Sequence, residues 1–136
     1  MTVMRTFHLE VVTPDGCAFD GEAISLLART DIGDVEILAG HADYLAVLTV
    51  GSARIRTTEG DKLAAVSGGF LSVDKKSVKL IATTFEFADD IDLNRAKAAR
   101  DRAEEALTRA KTDRELILAK AKLSRAISRI SVASKK

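Results

Sequence analysis

Very little in this sequence is suited to covalent chemistry. Its 136 residues include one cysteine, one proline, one tyrosine, two histidines and no tryptophan. Cys17 alone cannot close an internal disulfide, and after the Pro14-Asp15-Gly16 turn it reads as a small, partly buried filler. The two histidines and the cysteine match no zinc-ligand spacing and no nucleophile triad, which argues against a hydrolase or a metalloenzyme. No metal ligands are read from the sequence. His8 is expected on the polar face of a strand, and His41, between Gly40 and Ala42, in a loop. No glycine-rich run is followed by Lys-Ser or Lys-Thr, so a P-loop is excluded. No apolar run approaches the roughly 18 residues that suggest a bilayer span, and the N-terminus lacks the charged-then-apolar pattern of a secretory signal. An intracellular soluble protein is the expectation.

What is present is the material of a folded domain. With 46% hydrophobic and 30% charged residues, the chain has enough apolar surface to build a core, and its length suits one core with an appendage. The net charge of +1 hides an asymmetry. Residues 1–90 hold 8 Lys and Arg against 14 Asp and Glu, whereas residues 91–136 hold 13 against 6. An acidic body is joined to a basic tail, and the asymmetry suggests an electrostatic partner for the tail: its own body, an acidic protein surface, a phosphate ligand or nucleic acid.

From Thr6 to Phe87 the sequence alternates short two-residue-period runs with turn signals, the pattern of a small β-sandwich or barrel of eight to ten strands. Phe7, Leu9 and Val11 share one face of the first strand; Ile24 with Leu26 and Ala28, Val35 with Ile37, Leu45 with Val47, Ala53 with Ile55, Leu63 with Ala65, and Val78 with Leu80 continue the period. Near Asp89-Asp90 the period changes. Ala96, Ala99, Ala103, Ala106 and Ala110 recur at steps of three and four, predicting a helix of about 18 residues with a small-residue seam. Thr112 reads as an N-cap, with Glu115 completing a capping box, so a second helix starts at once. In it Leu116, Ala119, Leu123, Ala126, Ile130 and Ala133 form a matching seam. The fold expected is α+β, with an antiparallel β-sandwich over residues 1–88 and an antiparallel two-helix hairpin over residues 89–136. Alanine buries little area, at ~0.8 kcal/mol for a methylene-sized group, so the hairpin is expected to be weakly held and able to shift between arrangements.

The second helix, with Lys120, Lys122, Arg125 and Arg129 outside its apolar seam, suits docking on an acidic protein surface, and two anionic ligands suit the tail as well. Arg95, Arg102, Arg125 and Arg129 fall where an antiparallel hairpin brings them onto neighbouring faces, as in an anion site. Alternatively, the second helix, with six basic and no acidic residues after Glu115, suits a nucleic-acid-binding module, although it has no aromatic side chain to stack on bases. Asp92 in Ile91-Asp92-Leu93-Asn94-Arg95-Ala96 is expected to cap the first helix.

Three passages resemble the epsilon-subunit family of bacterial F-type ATP synthases: Gly33-Asp34-Val35-Glu36-Ile37-Leu38-Ala39-Gly40-His41-Ala42, then Gly68-Gly69-Phe70, then Ile91-Asp92-Leu93-Asn94-Arg95-Ala96. The ending Arg125-Ala126-Ile127-Ser128-Arg129-Ile130-Ser131-Val132-Ala133 and the sandwich-then-hairpin order resemble it as well. The resemblance implies a non-catalytic part of the rotating central stalk at the cytoplasmic face of the bacterial membrane. Its implied partners are the gamma subunit and the c ring, with alpha and beta contacted by an extended hairpin that inhibits ATP hydrolysis. No nucleic-acid partner is implied. The implied rotor-contact loop carries Asp34, Glu36 and His41; this sequence has Ala39 and Asp43 where many relatives carry proline. No cofactor is required. ATP is implied as a regulatory ligand of the folded hairpin, held by Ile91, Asp92, Arg95, Ala96, Arg102, Arg125 and Arg129.

Overall fold

A computed structural model describes residues 5–135. Eight strands come first: β1 (Phe7–Thr13), β2 (Gly16–Ala23), β3 (Ser25–Thr30), β4 (Gly33–Leu38), β5 (Tyr44–Leu48), β6 (Gly51–Thr57), β7 (Gly60–Val73) and β8 (Ser77–Phe87). A 3-10 turn (Ala88–Asp90) leads into helices α1 (Leu93–Arg109) and α2 (Asp113–Ser134). The strands run in the order β2-β1-β8-β7-β5-β3-β4, with β6 bridging β3 and β7. Pairing is antiparallel except between β1 and β8, which are parallel, a departure from the purely antiparallel sandwich expected.

The alternation read from the sequence is the cause of the core. Leu9 and Val11 of β1, Leu26 of β3, Ile37 of β4, Ile55 of β6, Leu71 of β7 and Leu80 of β8 are fully buried in a single cluster between the layers. β7 serves both layers, pairing with β6 through its first half and with β5 through its second. The change of partner falls at Gly68 and Gly69, both with positive φ. A side chain at Gly69 would overlap the Ile81 carbonyl, 1.9 Å from the place of its Cβ, so glycine is required where β7 and β8 approach most closely.

Two expectations change. Leu45 and Val47 point outward and are exposed, while Ala46 and Leu48 enter the core. In a strand apolar at every position the period has no phase, and the neighbouring strands decide it. Cys17 is exposed rather than partly buried, because β2 lies at the sheet edge and Cys17 falls on its open side.

The hairpin lies across the sandwich instead of standing apart. Asp92 caps α1, its Oδ1 accepting from the Arg95 amide at 3.1 Å. Thr112 caps α2 by accepting from the Glu115 amide at 3.1 Å. Glu115 reaches back one residue further than a standard capping box, its Oε2 accepting from the Lys111 amide at 2.9 Å. Between the helices the alanines carry the burial: Ala96, Ala103, Ala119, Ala126 and Ala133 are buried. Ala106 is exposed, Ala99 and Ala110 are half-buried, and Leu116, Leu123 and Ile130 are half-buried as well. At the base, Ala96, Val132 and Ala133 join Ala65 of β7, Ala88 and Ile91 in a second, smaller cluster. The Leu63–Ala65 period is therefore real, but it serves the hairpin rather than the sandwich core.

Candidate functional site: a basic cavity under the hairpin

Between the hairpin and the sheet lies a cavity of about 710 Å³. Its floor is built from Ala65, Val66 and Ser67 of β7 and from Thr84, Phe85 and Glu86 of β8. Its walls are helical, and the small side chains of Ala99, Ala103, Ala106 and Ala126 leave the space open. Arg102 of α1 and Lys122, Arg125 and Arg129 of α2 line it, against two carboxylates, Asp15 and Glu86. Excess positive charge in a partly enclosed space, beside hydroxyls and one aromatic edge, suits a small polyanion with an apolar portion.

One cation in this set is already paired. Arg129 Nε donates to Glu86 Oε1 at 2.8 Å, and both side chains are about one third exposed, at 28% and 35%. Ser67 and Thr84 share a hydroxyl-to-hydroxyl hydrogen bond on the floor. Ser128, also on the cavity lining, donates through Oγ to the Gly51 carbonyl at 3.1 Å. Across the polar interface, the ion pair and the Ser128 bond tie α2 to the sandwich.

The structure brings Arg102, Arg125 and Arg129 to this cavity and leaves four other expected residues outside its lining. Ile91 and Ala96 are buried in the small cluster at the hairpin base, Asp92 is the α1 cap, and Arg95 is exposed on α1. Lys122, Glu86, Ser67 and Thr84 were not among the expected site residues. Lys122 carried a signal, since it belongs to the basic face of the second helix. The two hydroxyls and Glu86 carried none, because only the docking of the hairpin brings β7 and β8 beneath it.

The expected contact loop is a strand for most of its length. Asp34 and Glu36 lie in β4, where Val35 and Ile37 alternate inward, and Asp34 accepts from Arg29 Nε at 3.1 Å. His41 does fall in the turn that follows, half-buried, with Nδ1 2.7 Å from the Ala42 carbonyl and its ring edge-on to Tyr44 at 6.0 Å. Elsewhere on the sandwich an apolar row is open: Val47, Phe70 and Ile81 stand side by side across β5, β7 and β8 and are 45%, 53% and 44% exposed. No described helix is long and apolar enough to cross a membrane.

Fold and site define a class: a β-sandwich protein that carries a basic helix hairpin docked over one of its sheet faces. Residues 6–88 match the beta-sandwich domain of the ATP synthase Delta/Epsilon chain, and residues 89–134 match the long alpha-helix domain of the same chain. The chain belongs to the ATP synthase delta/epsilon family, whose members are non-catalytic subunits of that complex. It is 39% identical over 130 residues to the ATP synthase epsilon chain of Bacillus velezensis, covering 96% of this chain and 98% of that one. To the epsilon chain of Ruminococcus albus it is 40% identical over 134 residues, covering 98% and 100%. In fold it matches a chain of the Euglena gracilis mitochondrial ATP synthase with a TM-score of 0.82 at 18% identity, covering 100% of this chain and 85% of that one. A chain from the Tetrahymena thermophila mitochondrial ATP synthase central stalk and c ring gives 0.62 at 18% identity, covering 98% of each.

Proposed function

We propose that the chain is a central-stalk subunit of an F-type ATP synthase whose docked hairpin regulates ATP hydrolysis and is stabilised in the docked state by ATP. The observation that carries this reading is the basic cavity itself, which exists only while α1 and α2 lie on the sheet. A polyanion bound there gains contacts that an extended hairpin does not offer, so its binding energy favours docking by mass action. Triphosphate oxygens suit the guanidinium groups of Arg102, Arg125 and Arg129, and Lys122 adds a further charge. The Arg129–Glu86 pair must loosen or rearrange as the anion enters.

The sandwich supplies the seat on the rotor. The row of Val47, Phe70 and Ile81, with exposed Leu45 beside it, is apolar surface of the kind that marks a protein interface. In this reading the row meets the gamma subunit, and the turn holding His41, with Asp34 and Glu36 along the neighbouring edge strand, faces the c ring. Those contacts hold the chain at the cytoplasmic face of the membrane as a peripheral component. The extended hairpin reaches the alpha and beta subunits and inhibits hydrolysis there. The nucleic-acid reading draws less support, because Arg129 is paired with Glu86 and α2 carries no aromatic side chain to stack on bases.

ATP titrated into the full chain should raise hydrogen-exchange protection along α1 and α2, and Arg125→Ala with Arg129→Ala should abolish that rise. Unchanged protection at millimolar ATP contradicts ATP sensing. Unchanged protection together with salt-dependent binding of DNA or RNA favours the alternative.

A further inference from the structure

We propose that the outer face of the β1–β2 ribbon is a divalent-metal site of the zinc class, with His8, Glu10 and Asp20 as ligands. The register of the ribbon builds it, for His8 pairs with Glu22 and Glu10 pairs with Asp20. Sequence spacing gives no hint of such a site, since its donors come from two strands. One donor atom from each of His8, Glu10 and Asp20 lies within 4.8 Å of the others. Ligands about 2.1 Å from a common metal stand roughly 3–4 Å apart, so a small side-chain adjustment closes the set. His8 Nε2 is already 2.8 Å from Asp20 Oδ1.

A second feature is independent of the ligands. The other ring nitrogen, Nδ1, faces the Glu22 carboxylate at 3.7 Å, and Glu22 is itself held by the Thr6 hydroxyl, which donates to its Oε2 at 3.0 Å. A carboxylate on the non-ligating nitrogen fixes the tautomer and ring orientation of a metal-binding histidine and raises its basicity. Among the described ion pairs of the ribbon face, Glu10, Asp20 and Glu22 meet one ammonium, that of Lys79, whose Nζ lies 3.9 Å from Glu10. Three carboxylates against one ammonium leave negative charge that a dication offsets, and Lys79 swings away as Glu10 turns to the ion. One imidazole with two carboxylates selects zinc-class ions over calcium and magnesium, which prefer all-oxygen sites. Water completes the coordination, because the ribbon face is open to solvent. Lys79 and Ile81 are two positions apart on the outward side of β8, so the ion sits at the rim of the apolar row and changes the charge there.

Titration of Zn²⁺ alone into the full chain near neutral pH, followed by calorimetry, tests the site. One equivalent should bind. His8→Asn should weaken binding at least tenfold, Glu22→Gln should weaken it about tenfold, and His41→Asn should leave it unchanged. Co²⁺ should shift and broaden the ring signals of His8 and spare those of His41, with circular dichroism confirming that each variant is folded. Absence of binding up to millimolar Zn²⁺, full binding by the His8→Asn variant, or loss of binding in the His41→Asn variant would each overturn the proposal.

Discussion

Asp74 shows how one side chain fixes a local structure. Its Oδ1 accepts from the Lys76 and Ser77 amides, both at 2.8 Å, and so closes the turn between β7 and β8. Those backbone hydrogen bonds hold its carboxyl below the ordinary value of 3.8. A carboxyl lowered on folding stabilises the native state above its unfolded pKa, and that contribution is lost as pH falls through the folded value. The Lys76 and Ser77 amide resonances should therefore titrate with a midpoint below 3.8; a midpoint at or above it contradicts the hydrogen-bonding account. Which residues are legible in the sequence depends on whether their role is local. Asp92 and Thr112 were legible as caps because capping depends only on neighbours in the chain. Glu86, Ser67 and Thr84 were not legible as cavity residues, because their role arises from contact with helices distant in sequence.

At the scale of elements, the helices are joined by methyl groups. Buried Ala103, Ala119 and Ala126 let α1 and α2 approach closely while leaving the larger Leu116 and Leu123 only half-buried. Ala119 is buried in the seam and away from the cavity, so Ala119→Leu should overpack the seam and destabilise the hairpin by about 1–3 kcal/mol. Thermal unfolding of the helical signal reads this out, and unchanged stability would show that the seam has room to spare. The alternation of three- and four-residue steps predicted this pairing well, but it assigned Ala106 to the seam when it in fact borders the open cavity. The same limit affected β5, where Tyr44 through Leu48 are apolar on both faces and only pairing with β7 sets which side is inward. Patterns fix the element more firmly than its orientation.

For the molecule as a whole, the division into an acidic body and a basic tail becomes an arrangement in space. The sandwich has its own core, and the hairpin adds a smaller cluster at its base, one ion pair and the Ser128 hydrogen bond. In the proposed reading, the apolar row gives the sandwich a surface to bind the rotor with, separate from the hairpin. Phe70→Glu, placing a charge in the centre of that row, should abolish co-purification with the gamma subunit while leaving the chain folded; retained co-purification would move the gamma contact elsewhere. The order of the two parts and the family resemblance were legible in the sequence, whereas the cavity between them needed the docked geometry. The central claim, that a sandwich anchored to the rotor carries a hairpin that restrains hydrolysis, is tested most directly by the ATPase rate of the assembled complex with this chain ended after Ala88. The account predicts intact assembly and faster hydrolysis; an unchanged rate in an intact complex would contradict it.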